Sequence, residues 1–283
     1  MALPEGFLFS QSNLQDYCDC PRRFQLRYLE RRTWPAPQTA NALESELRMR
    51  QGYAFHRLMR QLHSGVPPEA LEPVVRAEPE LAVWWENYQS MPPQGLPTEL
   101  REPELTLGVG LCGYRLEARY DLLAGQLGGR WVIVDWKTAA HRTPRPVLRV
   151  RVQTRVYPWV LVHAGIGLNA DAPIAPQQVE MIYWFAEAPH ETEKINYSAD
   201  QFQRDSAFLS ALVGEIAGLS NDADGQEHRF TLTTHEDRCR FCTYRSLCDR
   251  GVKAGNLSDS EAEEADSLAL LDFDFEQIAE IEF

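Results

Sequence analysis

No apolar run in the 283 residues approaches the roughly 18 needed to span a bilayer, so no membrane-crossing helix is expected. Internal repeats are absent, and nothing of low complexity occurs before the C-terminal end, which argues against a solenoid or a fibrous chain. No GxxxxGK[ST] phosphate loop occurs, so the chain carries no nucleotide-driven motor. The N-terminus MALPEGFLFS lacks the positively charged start and apolar core of a secretory signal, and the expected location is the cytoplasm. In that reducing compartment the six cysteines read as metal ligands rather than disulfides. Lysine is scarce beside arginine.

What is present fits a soluble globular protein with a sizeable core: 44% apolar and 24% charged residues. The net charge of −13 would repel a polyanion, but ten acidic residues and no basic ones lie in 254–283, so the rest of the chain is close to neutral.

Spacing of apolar residues predicts helix over residues 10–32, broken at Cys20-Pro21, and again over 42–63. A proline-flanked helical stretch then passes through Trp84, Trp85 and Tyr88. Strands follow at 104–109, 114–123 and 131–136, separated by glycine turns. A helix over 147–162, a strand at 178–185 and an amphipathic helix over 198–219 complete the series. Strand, helix, strand in succession implies a crossover and therefore a mixed sheet.

Within this frame the segment VIVDWKT, residues 132–138, ends an apolar strand in Asp135 and Lys137, on one face by the two-residue period. Asp121 follows LEARY on the preceding strand, and a short glycine turn lets the two acids converge. Paired carboxylates suit a hard divalent cation, and an adjacent ammonium offsets charge building on a phosphoryl group. Upstream, Gly52 and His56 form GYAFH on a helix; downstream, Gln153 and Tyr157 lie four apart on another. Glu104 and Glu117 are further acids without an assigned role.

In that order (GxxxH, Asp, DxK, QxxxY) the chain resembles the RecB-like branch of the PD-(D/E)XK nuclease superfamily over about residues 7–250. The resemblance implies an α/β, restriction-endonuclease-like fold with a mixed central sheet flanked by helices. It implies Mg²⁺ or Mn²⁺ on His56, Asp121 and Asp135, catalysis by Asp121, Asp135 and Lys137, and support from Gln153 and Tyr157.

The second constellation is CRFCTYRSLC, with Cys239, Cys242 and Cys248 able to reach one metal centre. The resemblance extends to iron–sulfur members of the same family, including the AddB nuclease and the CRISPR-associated RecB-like exonucleases. It implies Cys20, in DCPRRF, as fourth ligand of a [4Fe–4S] cluster that joins the N- and C-terminal segments. Cys18 rivals Cys20, Cys112 reads as buried and structural, and a four-cysteine zinc site would use the same ligands. Either centre is structural, since four thiolates leave no open position.

Arginines gather beside these motifs: Arg22 and Arg23 near the first cysteine, then Arg145, Arg149, Arg151 and Arg155 after DxK. Guanidinium suits a groove that tracks phosphates, and Trp136, Trp159 and Tyr157 are aromatic enough either to stack bases or to fill the core. The expected activity is metal-dependent hydrolysis of DNA, exonuclease-like, on single strands or free ends, with any helicase or other DNA-processing partner acting in trans. The alternative is a noncatalytic DNA-end or protein-binding module on the same fold.

The organisation expected is an N-terminal helical segment (1–32), a nuclease core (33–225) with a helical insertion at about 64–100, a cysteine segment (226–253) and a disordered acidic tail (254–283). The tail could compete with DNA for the arginines or dock a partner.

Overall fold

A computed structural model describes residues 3–33, 42–139, 143–221, 230–240 and 242–251; the acidic tail at 254–283 lies outside the described residues. A six-stranded mixed sheet is built around β3 (Tyr114–Gly125), to which β1 (Leu8–Ser10) pairs parallel and β2 (Leu100–Leu111) antiparallel. The sheet continues through β4 (Trp131–Lys137), β5 (Val179–Phe185) and β6 (Glu193–Asn196). β4 lies antiparallel to β3 but parallel to β5, which requires the crossover expected from the sequence. All seven residues of β4 are buried, because its alternate side chains enter two different cores. Trp131 and Ile133 join one with β5 residues Met181 and Tyr183; Val132, Val134 and Trp136 join the other with Ile182 and Trp184.

The helices that cover these faces hold the site. On one side α3 (Ala42–His63) and α5 (Pro79–Ser90) bring Phe55, Trp84 and Trp85 onto the second core, with α4 (Pro68–Arg76) between them in sequence. On the other lie α1 (Gln11–Asp19), the crossover helix α7 (Val152–Ala164) and α8 (Ala199–Asn221). Pro21 starts the short α2 (Pro21–Phe24), with Cys20 extended before it, so the break foreseen at Cys20-Pro21 is present.

The expected single helix at 147–162 is instead two, α6 (Arg145–Val150) and α7, because Arg151 adopts extended backbone (φ −59°, ψ 144°) between them. Two strands escaped the pattern: β1 is three residues long, and β6 is a four-residue edge strand carrying Glu193 and Lys194. Cys112 is exposed rather than buried, for a backbone reason. Together with Gly113 it makes the two-residue β2–β3 turn at φ 51° and 82°, the doubly left-handed geometry that matches strand twist. Among the described residues no helix is long and apolar enough to cross a membrane.

Candidate active site

β2 occupies one edge of β3 along its whole length, so β1 and β4 share the other: β1 pairs with Arg115–Glu117 and β4 with Leu122–Gly125. Between those two partners β3 has a free stretch, and Asp121 sits at its border. The β3–β4 ladder ends with Leu122 opposite Val134, so the next step of register would set Asp121 against Asp135. Two carboxylates set directly opposite one another repel across a ladder. Asp121 Oδ2 instead accepts the backbone N–H of Trp136 at 2.8 Å, its side chain replacing the missing strand partner.

The other neighbour is disrupted at the same point. Pro103 pairs with Leu122 and Leu105 with Tyr120, leaving Glu104 opposite Asp121 as the one gap in the β2–β3 ladder. Glu104 has φ 56°, a left-handed backbone that costs a non-glycine residue about 1 kcal/mol or more. β3 also changes face here. Leu116, Ala118 and Tyr120 enter one core while Leu122 enters the other.

These distortions bring three ligand types together. His56 from α3, Glu104 from β2 and Asp121 from β3 offer an imidazole nitrogen and two carboxylate oxygens within 4.8 Å of one another, and His56 Nδ1 lies 3.2 Å from Asp121 Oδ1. One nitrogen and hard oxygens fit a divalent cation such as Mn²⁺ or Mg²⁺. The electrostatics agree: burial opposes a charge on His56, but Asp121, Asp135 and Glu104 outweigh it and push the pKa up to about 9. Glu104 is itself raised, by burial and then by Asp121, even though Arg119 donates to its Oε2 at 2.8 Å. The site is therefore short of positive charge. Gly52, one turn before His56, lets α3 approach: a Cβ there would lie 2.8 Å from Thr138 Oγ1, just past Lys137.

Beside the trio lies a second buried group. Lys137 Nζ is 2.8 Å from Asp135 Oδ2 and donates to Gln153 Oε1 at 3.2 Å, while Gln153 Nε2 donates to Asp135 Oδ1 at 2.5 Å. Lys137 also rests over the Tyr183 ring, 5.3 Å from its centroid. Tyr157 is buried one turn on, held a neutral phenol because burial, then the charges of Asp135 and Asp121, raise its pKa. His56 and Asp121 are thus brought together as the sequence suggests. Asp135 adjoins them, close enough for its charge to act on His56 while Lys137 and Gln153 engage its oxygens, and Glu104 offers a further carboxylate beside His56 and Asp121.

The stacking candidates are core residues: Trp136 lies between His63, Tyr88 and Trp184, and Trp159 donates to Ser206 Oγ at 2.8 Å. Several arginines serve the fold. Arg23 pairs with Asp16 and Asp19 at 2.7 Å each, Arg22 with Glu30, Arg145 with Glu193, and Arg155 with the fully buried Asp205. Arg151 reaches Thr143, and Arg149 is exposed on α6.

Away from this site, Cys20, Cys239, Cys242 and Cys248 line one cleft, and Cys18 lies outside it. Burial pushes the Cys242 thiol up to about 11 and raises Cys239 and Cys248, so a cationic centre is needed to hold them as thiolates.

The sequence profile of the PD-(D/E)XK nuclease superfamily matches residues 8–249. The chain belongs to that superfamily. The mixed sheet flanked by helices is consistent with the PD-(D/E)XK fold, and the superfamily's use of divalent metals accords with the His56, Glu104 and Asp121 donors. Among solved structures the chain is similar to SSO0001 (15% identity, 85% of each chain, TM-score 0.40). It is also similar to a "Putative exonuclease" from Eubacterium rectale (9% identity, 76% of this chain and 81% of that one, TM-score 0.43). No curated protein sequence matches the chain.

Proposed function

We propose that this PD-(D/E)XK protein is a RecB-like, metal-dependent DNA nuclease of exonuclease type, acting on single strands or free DNA ends. The observation that carries it is the abutment of two groups at the notch between β3 and β4: the ligand trio His56–Glu104–Asp121, and the buried Asp135–Lys137–Gln153 set. A divalent cation, when bound, supplies Lewis-acid stabilisation of the phosphoryl oxygens and lowers the pKa of an attacking water. The protein does the rest. Asp121 is held in place by the Trp136 N–H on one oxygen, so that its other oxygen faces His56 and the cation's place beside it. Asp135, paired with Lys137 and bonded by Gln153, would draw a proton from the attacking water, and Lys137 would offset the negative charge that builds on the phosphoryl oxygens. Gln153 fixes both by bonding each, and Tyr157 stays a neutral donor beside them.

The same proposal places a [4Fe–4S] cluster on Cys20, Cys239, Cys242 and Cys248. These four cysteines line one cleft, and the iron–sulfur reading rests on the resemblance to the family's iron–sulfur members; zinc would take the same four thiolates. The cluster is structural and leaves unwinding to a partner in trans.

The test is Mn²⁺-dependent digestion of end-labelled DNA as a single strand, a frayed duplex and a blunt duplex, with iron and sulfide assayed on the same preparation. The proposal expects single and frayed strands to be shortened, loss of cleavage in Asp135→Ala and Lys137→Ala, and loss of iron in Cys20→Ala and Cys239→Ala. Binding without cleavage by the wild type would favour the noncatalytic module instead. Zinc in place of iron would overturn the cluster and leave the nuclease assignment standing.

A further inference from the structure

The crossover helix α7 carries Gln153 and Tyr157, yet its first turn has no cap of its own: Arg151, which precedes it, makes no side-chain capping bond. The N–H groups of a first helical turn have no partner inside the helix and must find one elsewhere. The N–H of Val152, adjacent to Gln153, donates to the side-chain Oε1 of Gln15 at 3.1 Å, from a residue on α1. The other end of that amide is engaged as well, for Gln15 Nε2 donates to Asp19 Oδ1 at 3.0 Å. Asp19 precedes Cys20 and pairs with Arg23 and with Arg238, which precedes Cys239; all four of those neighbours line the cysteine cleft.

We infer that Gln15 is a positioning residue through which the cysteine cleft sets the active site. A single amide spans the two: one end reads the juxtaposition of Asp19 and Arg238, the other holds the start of α7 so that Gln153 meets both Asp135 and Lys137. When Cys20 and Cys239 are drawn to a common centre, Asp19 and Arg238 are held together and Gln15 is fixed. When the cysteine segment loosens, Asp19 releases the amide, the first turn of α7 loses its cap, and Gln153 leaves the buried ion pair.

The inference rests on the nuclease reading for its kinetic arm and on the cysteine-cluster reading for its Cys239→Ala arm; the Gln15→Ala exchange arm rests on neither. The first measurement is hydrogen exchange over residues 150–157 in the full chain. Gln15→Ala is expected to speed exchange at the start of α7, as is Cys239→Ala, with little added when both are present. Gln15→Glu separates the two ends, since its carboxylate still accepts from Val152 but repels Asp19: protection there should survive while the coupling to Cys239→Ala is lost. The second measurement is single-turnover cleavage with Mn²⁺. Gln15→Ala should lower the rate about ten- to hundredfold at unchanged iron content and DNA affinity, and should add nothing in a Gln153→Ala background. Unchanged exchange in Gln15→Ala, or losses that multiply in the Gln15→Ala/Gln153→Ala double variant, would overturn the inference. A wild type that cuts no DNA would sink the nuclease reading and leave the exchange result to decide the link.

Discussion

Asp121 on β3 accepts the backbone N–H of Trp136 on β4 at 2.8 Å, at the step where the two strands part. One carboxylate thus serves as a strand partner through one oxygen and faces His56 through the other. The two duties separate by substitution. Asp121→Asn keeps an acceptor for Trp136 but loses the charge, so it should fold with nearly native thermal stability while binding Mn²⁺ at least tenfold more weakly by calorimetry. Asp121→Ala should lose both, with about 1–3 kcal/mol of stability gone because a buried N–H is left unpaired.

His56 gives the site a pH signature. Its pKa, ordinarily 6.5, is raised to about 9, so at neutral pH a cation must displace a proton from it. Mn²⁺ affinity should rise about tenfold per pH unit up to about 9, and the His56→Gln variant should lose that slope. Without metal the sign reverses. His56 contributes its stabilisation in full below about pH 6.5 and loses it as pH climbs through about 9, so the wild type's stability advantage over His56→Gln in chelator should shrink across that window.

Glu104 holds strained backbone and a carboxylate raised by burial. Asparagine tolerates the left-handed conformation better and carries no charge. Glu104→Asn should leave the apo-protein as stable as wild type or up to ~1 kcal/mol more so in denaturant titrations. Its Mn²⁺ affinity should fall, a trade of site for stability.

Gly52 packs against Thr138. Gly52→Ala gains helix propensity but sets a Cβ 2.8 Å from Thr138 Oγ1, displacing the strand end that carries Lys137. Cleavage should drop several-fold. Adding Thr138→Ala should restore it, since the next nearest Thr138 atom to that Cβ lies 3.9 Å away.

Lys137 and Asp135 are each about 5% exposed and pair at 2.8 Å. Lys137→Met strands a buried carboxylate and should destabilise the fold by about 3–5 kcal/mol. The double variant Asp135→Asn/Lys137→Met should recover most of that stability and none of the activity, as thermal unfolding and cleavage assays read in parallel.

Much of this site was legible in the sequence because strand and helix periods are short-range rules. DxK at the end of an apolar strand, GYAFH on a helix and QxxxY on another placed His56, Asp121, Asp135, Lys137 and Gln153 around one notch. Glu104 was named without a role, although its place was readable. The Cys112-Gly113 turn sets Leu111 against Tyr114, and counting back along that register puts Glu104 opposite Asp121. What counting cannot give is the left-handed kink at Glu104, which depends on both strands changing face together. The break at Arg151 was hidden for a related reason: the first turn of α7 is capped by Gln15 from 137 residues away, so no local signal marks it. The acidic partners of the arginines were not legible. Arg23 and Arg155 look like a phosphate-binding surface in sequence, yet buried Asp16 and Asp205 claim them.

Anomalous diffraction from crystals soaked in Mn²⁺ addresses the metal site most directly. The account predicts one strong peak about 2.2 Å from the imidazole of His56 and from carboxylate oxygens of Glu104 and Asp121, with Asp135 and Lys137 flanking it. A peak seated away from that trio, or none at saturating Mn²⁺ and pH 8, would contradict it.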